Sequence, residues 1–359
     1  MYTGFRVRNF RCFQKLYVGG LKRVNLIAGE NNVGKSALLE ALFLHMGGSN
    51  PHLVVTIDTL RGITAYRVKS GNVVEEPPWR SLFQEFNEEK EIELTGEGCA
   101  RAARTLLIRT REYAGSAMPA RNGGAALRVA EARSSQETPR ALELTDVSRG
   151  KPTRLYVEED VFRTEPASLP PPPFPGYLLS ARGVTGFKED SELYGRLDLR
   201  NEQVELIQIL RLLEPRLRRL STIVAGGEPM LHADIGWQRL TPIAYLGDGV
   251  VRLARLALRM LEARGGILLV DEIENGLHHS VLHEVWKALG ETARRAEVQL
   301  FATTHSWECA EAAHLAFSED PEYDFSLQRL ERAPDGGIRA VAYDREALAG
   351  AIEAGLEVR

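Results

Sequence analysis

Residues 29–36 read Gly29-Glu30-Asn31-Asn32-Val33-Gly34-Lys35-Ser36, and the run Val24-Asn25-Leu26-Ile27-Ala28 leads into them. That run is short and apolar and stops at a glycine, which predicts a buried strand. From Ala37 the apolar residues Leu38, Leu39, Leu42 and Phe43 recur at helical spacing up to Gly47-Gly48, so a helix follows. Strand, glycine-rich turn and helix in that order match GxxxxGK[ST], the phosphate-binding loop. Its glycines let backbone N–H groups turn inward as a nest for phosphate oxygens, and the helix N-terminus adds roughly half a positive charge. The expected nucleotide-contacting set is Gly29, Glu30, Asn31, Asn32, Val33, Gly34, Lys35, Ser36 and Ala37. Lys35 should bridge the β- and γ-phosphates, and Ser36 should ligate Mg²⁺ through its hydroxyl. ATP and Mg²⁺ are the expected ligands.

A site of this kind needs acids at the end of a second strand, and Ile267-Leu268-Leu269-Val270 followed by Asp271-Glu272 supplies them. A buried strand delivers carboxylates to the edge of the sheet where the phosphates lie. Asp271 is expected to hold the Mg²⁺, usually through water, and Glu272 to polarise the attacking water as general base. Thr303-Thr304-His305-Ser306 follows the next apolar run, residues 298–302, so His305 is expected at the same edge as a hydrogen-bond partner of the γ-phosphate. Leu246-Gly247-Asp248-Gly249-Val250 opens a long amphipathic helix over 249–264. Two glycines at a helix start make a further anion site.

Strands alternating with helices imply a parallel sheet covered on both faces, an α/β fold. Residues 50–165 read as a β-rich lobe with a surface insertion, carrying strand-like pieces at 91–95, 105–110 and 154–157. Pro170 to Pro173 form a stiff spacer. Residues 201–221 have a helical pattern with Arg211, Arg216, Arg218 and Arg219, a solvated face or a phosphate-binding one. A helix is expected over 279–293, and the chain ends with a hairpin around Pro334-Asp335-Gly336-Gly337 and a short helix from Arg345. The expected division is 1–165 for an N-terminal lobe with the phosphate loop, 166–250 for a linker and helical lobe, and 251–359 for the rest of the core.

Composition excludes several classes. Of 359 residues, 44% are hydrophobic and 26% charged, ordinary for a globular chain and unlike a disordered or fibrous one. The net charge of −4 lacks the basic excess of a nucleic-acid coat, so any DNA contact is local. No apolar run approaches the ~20 residues of a membrane span, and the start MYTGFRVRNF is no signal peptide. A cytoplasmic place without membrane contact is expected. Cys12, Cys99 and Cys309 are odd in number without CxxC spacing, so they read as reduced structural thiols.

Taken in order, Asn9-Phe10-Arg11, GENNVGKS, LGDGV, LLVDEIENGL and TTHS resemble the motifs of ABC-type ATPases of the SMC, RecF and OLD (overcoming lysogenization defect) group. The resemblance is to a short AAA-family ATP-binding protein without a Toprim domain or a long coiled coil. It implies a P-loop NTPase fold, an ABC-type ATPase head with a β-rich lobe and a helical signature lobe. In that group heads pair head to tail as a homodimer. By similarity, Gly247, Asp248 and Gly249 contact a partner's γ-phosphate, and Arg11 contacts the nucleotide. Two departures stand out. Gly247 replaces the usual signature serine, and the lobe-linking glutamine has no clear counterpart: Gln203 and Gln208 lie in a helical pattern, and Ser180-Ala181-Arg182 is the alternative junction.

Only 54 residues follow His305, too few for the C-terminal Toprim nuclease of OLD enzymes; Asp320, Glu322 and Asp324 read as a solvated loop. The leading expectation is an ATPase whose nucleotide-driven dimerisation switches a separately encoded effector, a nuclease in DNA repair or anti-phage defence. The rivals are an ATP-sensing binding module with negligible turnover and a stand-alone nuclease.

Overall fold

All six residues of the strand Val24–Gly29 are buried, and alternate side chains go to different places. Val24, Leu26 and Ala28 join one hydrophobic cluster with Leu268, Val270, Leu300 and Ala302, whereas Ile27 joins another with Ile267, Leu269 and Phe301. Successive side chains of a strand point to opposite faces. A continuous apolar run is therefore what a sheet covered on both sides requires.

The computed structural model describes residues 1–63, 68–69, 73–74, 77–98, 103–112, 140–158, 161–181 and 186–355; Cys99 and Arg182 lie outside the described residues. The core sheet has the order Gly176–Leu179, Ile267–Val270, Gln299–Thr303, Val24–Gly29, Phe325–Arg332, Ile338–Tyr343. Its first five strands are parallel and the last is antiparallel, the terminal hairpin expected from Pro334 to Gly337. A second sheet is antiparallel, in the order Val161–Glu165, Pro152–Glu158, Arg140–Asp146, Arg104–Glu112, Ile92–Glu97, Gly4–Phe10, Phe13–Gly19. The β-rich lobe is thus completed by the N-terminal hairpin. Among the described residues no helix is long and apolar enough to cross a membrane.

The helix Lys35–Gly47 is buried on every side from Ala37 to Met46. A helix buried all round must lie between two other layers; here it packs on the core strands Gly176–Leu179 and Ile267–Val270 and on Ile92–Glu97 of the antiparallel sheet. Polar groups on it then need partners. His45 is fully buried: its Nδ1 accepts from the Tyr2 hydroxyl at 2.6 Å, and its Nε2 donates to the Arg104 carbonyl at 2.9 Å. Arg104 in turn donates to the His45 carbonyl and to Asp146. This network ties the helix to the antiparallel sheet.

Burial, with Arg104 nearby, pushes the His45 pKa down from 6.5 to about 3. The unfolded chain takes up a proton at this side chain near pH 6.5 while the folded one holds it off to about pH 3. Stability is therefore full above pH 6.5 and is lost as pH falls, by roughly 2 kcal/mol at about pH 5. Thermal melts at neutral pH and near pH 5 should show this loss, and His45→Gln should lack that part of it. An equal pH dependence in both proteins would refute the assignment.

The expected helix over 201–221 is only partly present. A helix spans Gln203–Leu210, and Arg219–Ala225 is instead a strand paired antiparallel with Glu228–Asp234. Pro215 cannot continue a helix, and Gly226-Gly227, with φ of 64° and 86°, form the tight hairpin turn that only glycine-like residues adopt readily. The four arginines consequently do not share a helix face: Arg211 donates to the Leu217 carbonyl, Arg216 pairs with Glu214, and Arg219 pairs with Asp234. The helix expected over 279–293 begins as a single 3₁₀ turn, His279–Val281, and continues as Leu282–Arg295.

Candidate active site

The loop between Val24–Gly29 and Lys35–Gly47 has its backbone in the left-handed region at Gly29 (φ 138°), Asn32 (φ 64°) and Gly34 (φ 102°). Space as well as conformation demands the two glycines. A Cβ at Gly29 would lie 2.4 Å from the Leu330 carbonyl oxygen, and one at Gly34 2.7 Å from Cys12 Sγ and from the Phe13 ring. Lys35 Nζ donates to the carbonyls of Gly29 at 2.6 Å and Glu30 at 3.0 Å. Burial pushes its pKa below the ordinary lysine value, against the opposing pull of Asp271.

Across the loop, at the end of Ile267–Val270, the Asp271 carboxylate accepts from Ser36 Oγ at 3.1 Å on both oxygens and from Thr303 Oγ1 at 2.7 Å. Thr303 Oγ1 also accepts from the Glu272 N–H at 2.8 Å. Glu272 adopts φ 48°, a conformation that costs a non-glycine residue of order 1–3 kcal/mol and concentrates at functional sites. Its Oε2 accepts from Asn275 Nδ2 at 2.7 Å. Ser36 and Asp271 offer a hydroxyl and a carboxylate side by side, the hard oxygen donors Mg²⁺ takes. The residues present fit that ion.

These groups open on a cavity of about 720 Å³. Asn31, Asn32, Gly34, Lys35, Ser36, Ala37, Asp271 and Glu272 line it, as does Arg11. Gly29 and Val33 are buried behind the loop, and Glu30 is exposed beside it. Arg11 Nε and Arg61 Nε each lie 2.6 Å from one oxygen of Glu40, and burial lowers the Arg11 pKa. Leu39, Ile57 and Leu60 make this part of the wall apolar. The cavity therefore has one end of glycine-rich loop, cation and carboxylates, and another of mixed apolar and guanidinium character.

Other expected residues stand apart. His305 is about half exposed and outside the cavity lining; its N–H and Nδ1 both lie on Glu274 Oε1, at 3.0 and 3.2 Å. Gly247 and Asp248 are exposed, and neither they nor Gly249 line the cavity of their own chain. Gly249 is pressed against the segment after the acidic strand: a Cβ there would sit 2.7 Å from the Gly276 carbonyl oxygen. Ser180 and Ala181 follow the strand Gly176–Leu179 and do line the cavity, whereas Gln203 and Gln208 do not. Asp320 pairs with Arg294 and Asp324 with Arg23, so two of the three acids expected in a solvated loop are held in ion pairs.

Thr303, Asn275, Glu274, Glu40 and Arg61 were not among the residues expected from the sequence. Thr303 and the pair Glu274 and Asn275 sit inside the TTHS and DEIENGL strings, where a side chain next to a catalytic one is a readable signal. Glu40 and Arg61 carry no local signal.

Two family models match the chain. One, described as "AAA domain, putative AbiEii toxin, Type IV TA system", matches residues 144–308, and one described as "AAA domain" matches residues 5–113. Among solved structures, an SMC head bound to the C-winged helix domain of ScpA is similar with a TM-score of 0.50 and 14% identity, over 97% of this chain and 99% of that one. An SMC head domain from Thermotoga maritima gives a TM-score of 0.42 and 15% identity over 96% and 99%. An ATP/GTP phosphatase of Helicobacter pylori (strain ATCC 700392 / 26695) is 43% identical over 49 residues, 14% of this chain and 13% of that protein's length. The chain thus carries two stretches similar to AAA domains on a fold similar to that of an SMC head.

Proposed function

We propose that the chain is a Mg²⁺-dependent ATPase of the RecF/OLD type whose ATP-driven homodimerisation switches a separately encoded effector, a nuclease in DNA repair or anti-phage defence. The observation that carries the catalytic part is the convergence of Ser36, Thr303, Asp271 and Glu272 at one end of the cavity. The loop amides and Lys35 bind the phosphates. Ser36 and Asp271 would hold Mg²⁺, which when bound would neutralise charge on those phosphates. Glu272, oriented by Asn275, takes the proton of the attacking water, and His305, oriented by Glu274, reads the γ-phosphate from the rim.

The exposed Gly247-Asp248 turn, which does not line its own chain's cavity, supports pairing in which each subunit's turn covers the other's ATP. A two-fold arrangement uses one surface twice and yields two composite sites. Substitution at Gly249 would disturb Gly276 in its own chain, so Asp248 is the better probe. Asp248→Arg should bind ATP yet hydrolyse poorly, whereas Lys35→Ala should hydrolyse poorly because it no longer binds ATP. Each mixed dimer has one site with both lesions and one with neither. Equal mixing makes half the dimers mixed, so about a quarter of wild-type activity should return. Without recovery from folded, exchanging subunits, the composite-site reading is wrong. A protein that binds ATP, dimerises and releases no phosphate would instead be the ATP-sensing module that the Gly247 replacement permits.

A further inference from the structure

The segment 271–273 turns sharply at the end of Ile267–Val270, and its backbone N–H groups are all engaged by the two flanking strands. Asp271 N–H donates to the Leu179 carbonyl at 2.8 Å, Glu272 N–H to Thr303 Oγ1 at 2.8 Å, and Ile273 N–H to the Thr303 carbonyl at 3.1 Å. The carbonyls of the turn face Arg252, on the helix Asp248–Glu262. One nitrogen of its guanidinium, Nη2, donates to the carbonyls of both Asp271, at 2.7 Å, and Glu272, at 3.1 Å; Nη1 reaches the Ser180 carbonyl at 3.5 Å. A single side chain thus spans the C-terminal ends of two neighbouring parallel strands, Gly176–Leu179 and Ile267–Val270. Ser180, Asp271 and Glu272 all line the cavity, while Arg252 does not.

We infer that Arg252 is the positioning residue for Glu272: by holding the carbonyls of Asp271 and Glu272 it keeps the left-handed turn at Glu272 and with it the direction of the base. The inference rests on the reading of Glu272 as general base. A left-handed glutamate is unfavourable by itself and persists only where its surroundings over-determine it. The N–H anchors alone fix one edge of each peptide plane; donors on the carbonyls fix the other. Arginine suits the task because its planar fork presents several donors at fixed angles, whereas lysine offers a point charge on a flexible stem. The positive charge also lies close to Asp271, Glu272 and Glu274, the carboxylates that attract it.

The test compares Arg252→Met, which keeps the stem and removes the donors, with Arg252→Lys, which keeps a charge and part of the donation. A misplaced catalytic group costs up to about 10²-fold in rate, so Arg252→Met should lower kcat by roughly 10- to 100-fold with KM and calorimetric ATP affinity changed about twofold or less, and Arg252→Lys should recover part of that loss. Placed in the Glu272→Gln background, Arg252→Met should change the residual rate little, because groups acting through one another are non-additive. Additive losses, an unchanged kcat, or a fall in ATP affinity matching the fall in kcat would each overturn the inference. Amide hydrogen exchange over 271–276 in nucleotide-free protein reads the same clamp without turnover. It should be faster in Arg252→Met or, if that variant fails to fold, in Arg252→Lys, and unchanged exchange overturns the clamp. A wild-type protein that releases no phosphate defeats the general-base reading and leaves the exchange result to decide the clamp.

Discussion

Glu272→Gln is expected to retain ATP and Mg²⁺ while hydrolysing ATP about 10²- to 10⁴-fold more slowly. The amide keeps the shape of the carboxylate and an oxygen to accept from Asn275 Nδ2, so the turn and its neighbours persist. It has no lone-pair oxygen basic enough to take a proton from water. Ser36, Asp271 and Thr303, which hold the ion-binding pair together, are untouched. Binding and turnover should therefore separate, and the variant should accumulate as an ATP-bound dimer. Phosphate release in single-turnover conditions, beside calorimetry on the same preparation, measures both quantities. Hydrolysis at the wild-type rate would show that another group removes the proton.

Lys35→Ala should act on the other quantity and lose nucleotide binding. Lys35 is the cation of the loop itself, already held over it by the Gly29 and Glu30 carbonyls. Its removal takes away a crosspiece of the loop and the charge that faces the phosphates. A hydrogen bond to a charged group contributes about 1.5–3 kcal/mol, so losing two of them lowers ATP affinity by roughly 10²–10⁴-fold. Calorimetry would report this directly, and unchanged affinity would refute the role assigned to the loop. The apolar wall of Leu39, Ile57 and Leu60 is unaltered in this variant. Any residual affinity thus reflects the loop amides, the Ser36–Asp271 pair and this wall together.

Much of the core was legible because its signals are local. The strand at 24–29, the loop, the helix after it, the acidic strand at 267–270 and the terminal hairpin each state their structure within a dozen residues, through apolar runs, glycines and helical spacing. The segment 201–221 misled because its apolar spacing suits a helix, while Pro215 and the Gly226-Gly227 turn, which redirect it into a hairpin, act from within and beyond the window. The Arg11–Glu40–Arg61 cluster was illegible for another reason: each member is an ordinary charged residue until folding brings them to one wall.

The sequence by itself determined the parts of the site that are contiguous: a glycine-rich loop between strand and helix, a strand that ends in two acids, and the alternation of strands and helices that makes a doubly covered parallel sheet. Only the tertiary structure decided how those parts meet. Ser36 and Asp271 are 235 residues apart, and Thr303 and Asp271 are 32; their juxtaposition comes from strand order, which places 299–303 between 267–270 and 24–29. Tertiary structure likewise set the left-handed turn at Glu272 and placed Arg252 beneath it. It also left Gly247 and Asp248 out of the lining of their own chain's cavity. Propensity and pattern act over the few residues that share a helix turn or a strand. A hydrogen bond between distant segments depends on which surfaces the hydrophobic clusters bring together, and that is a property of the whole chain.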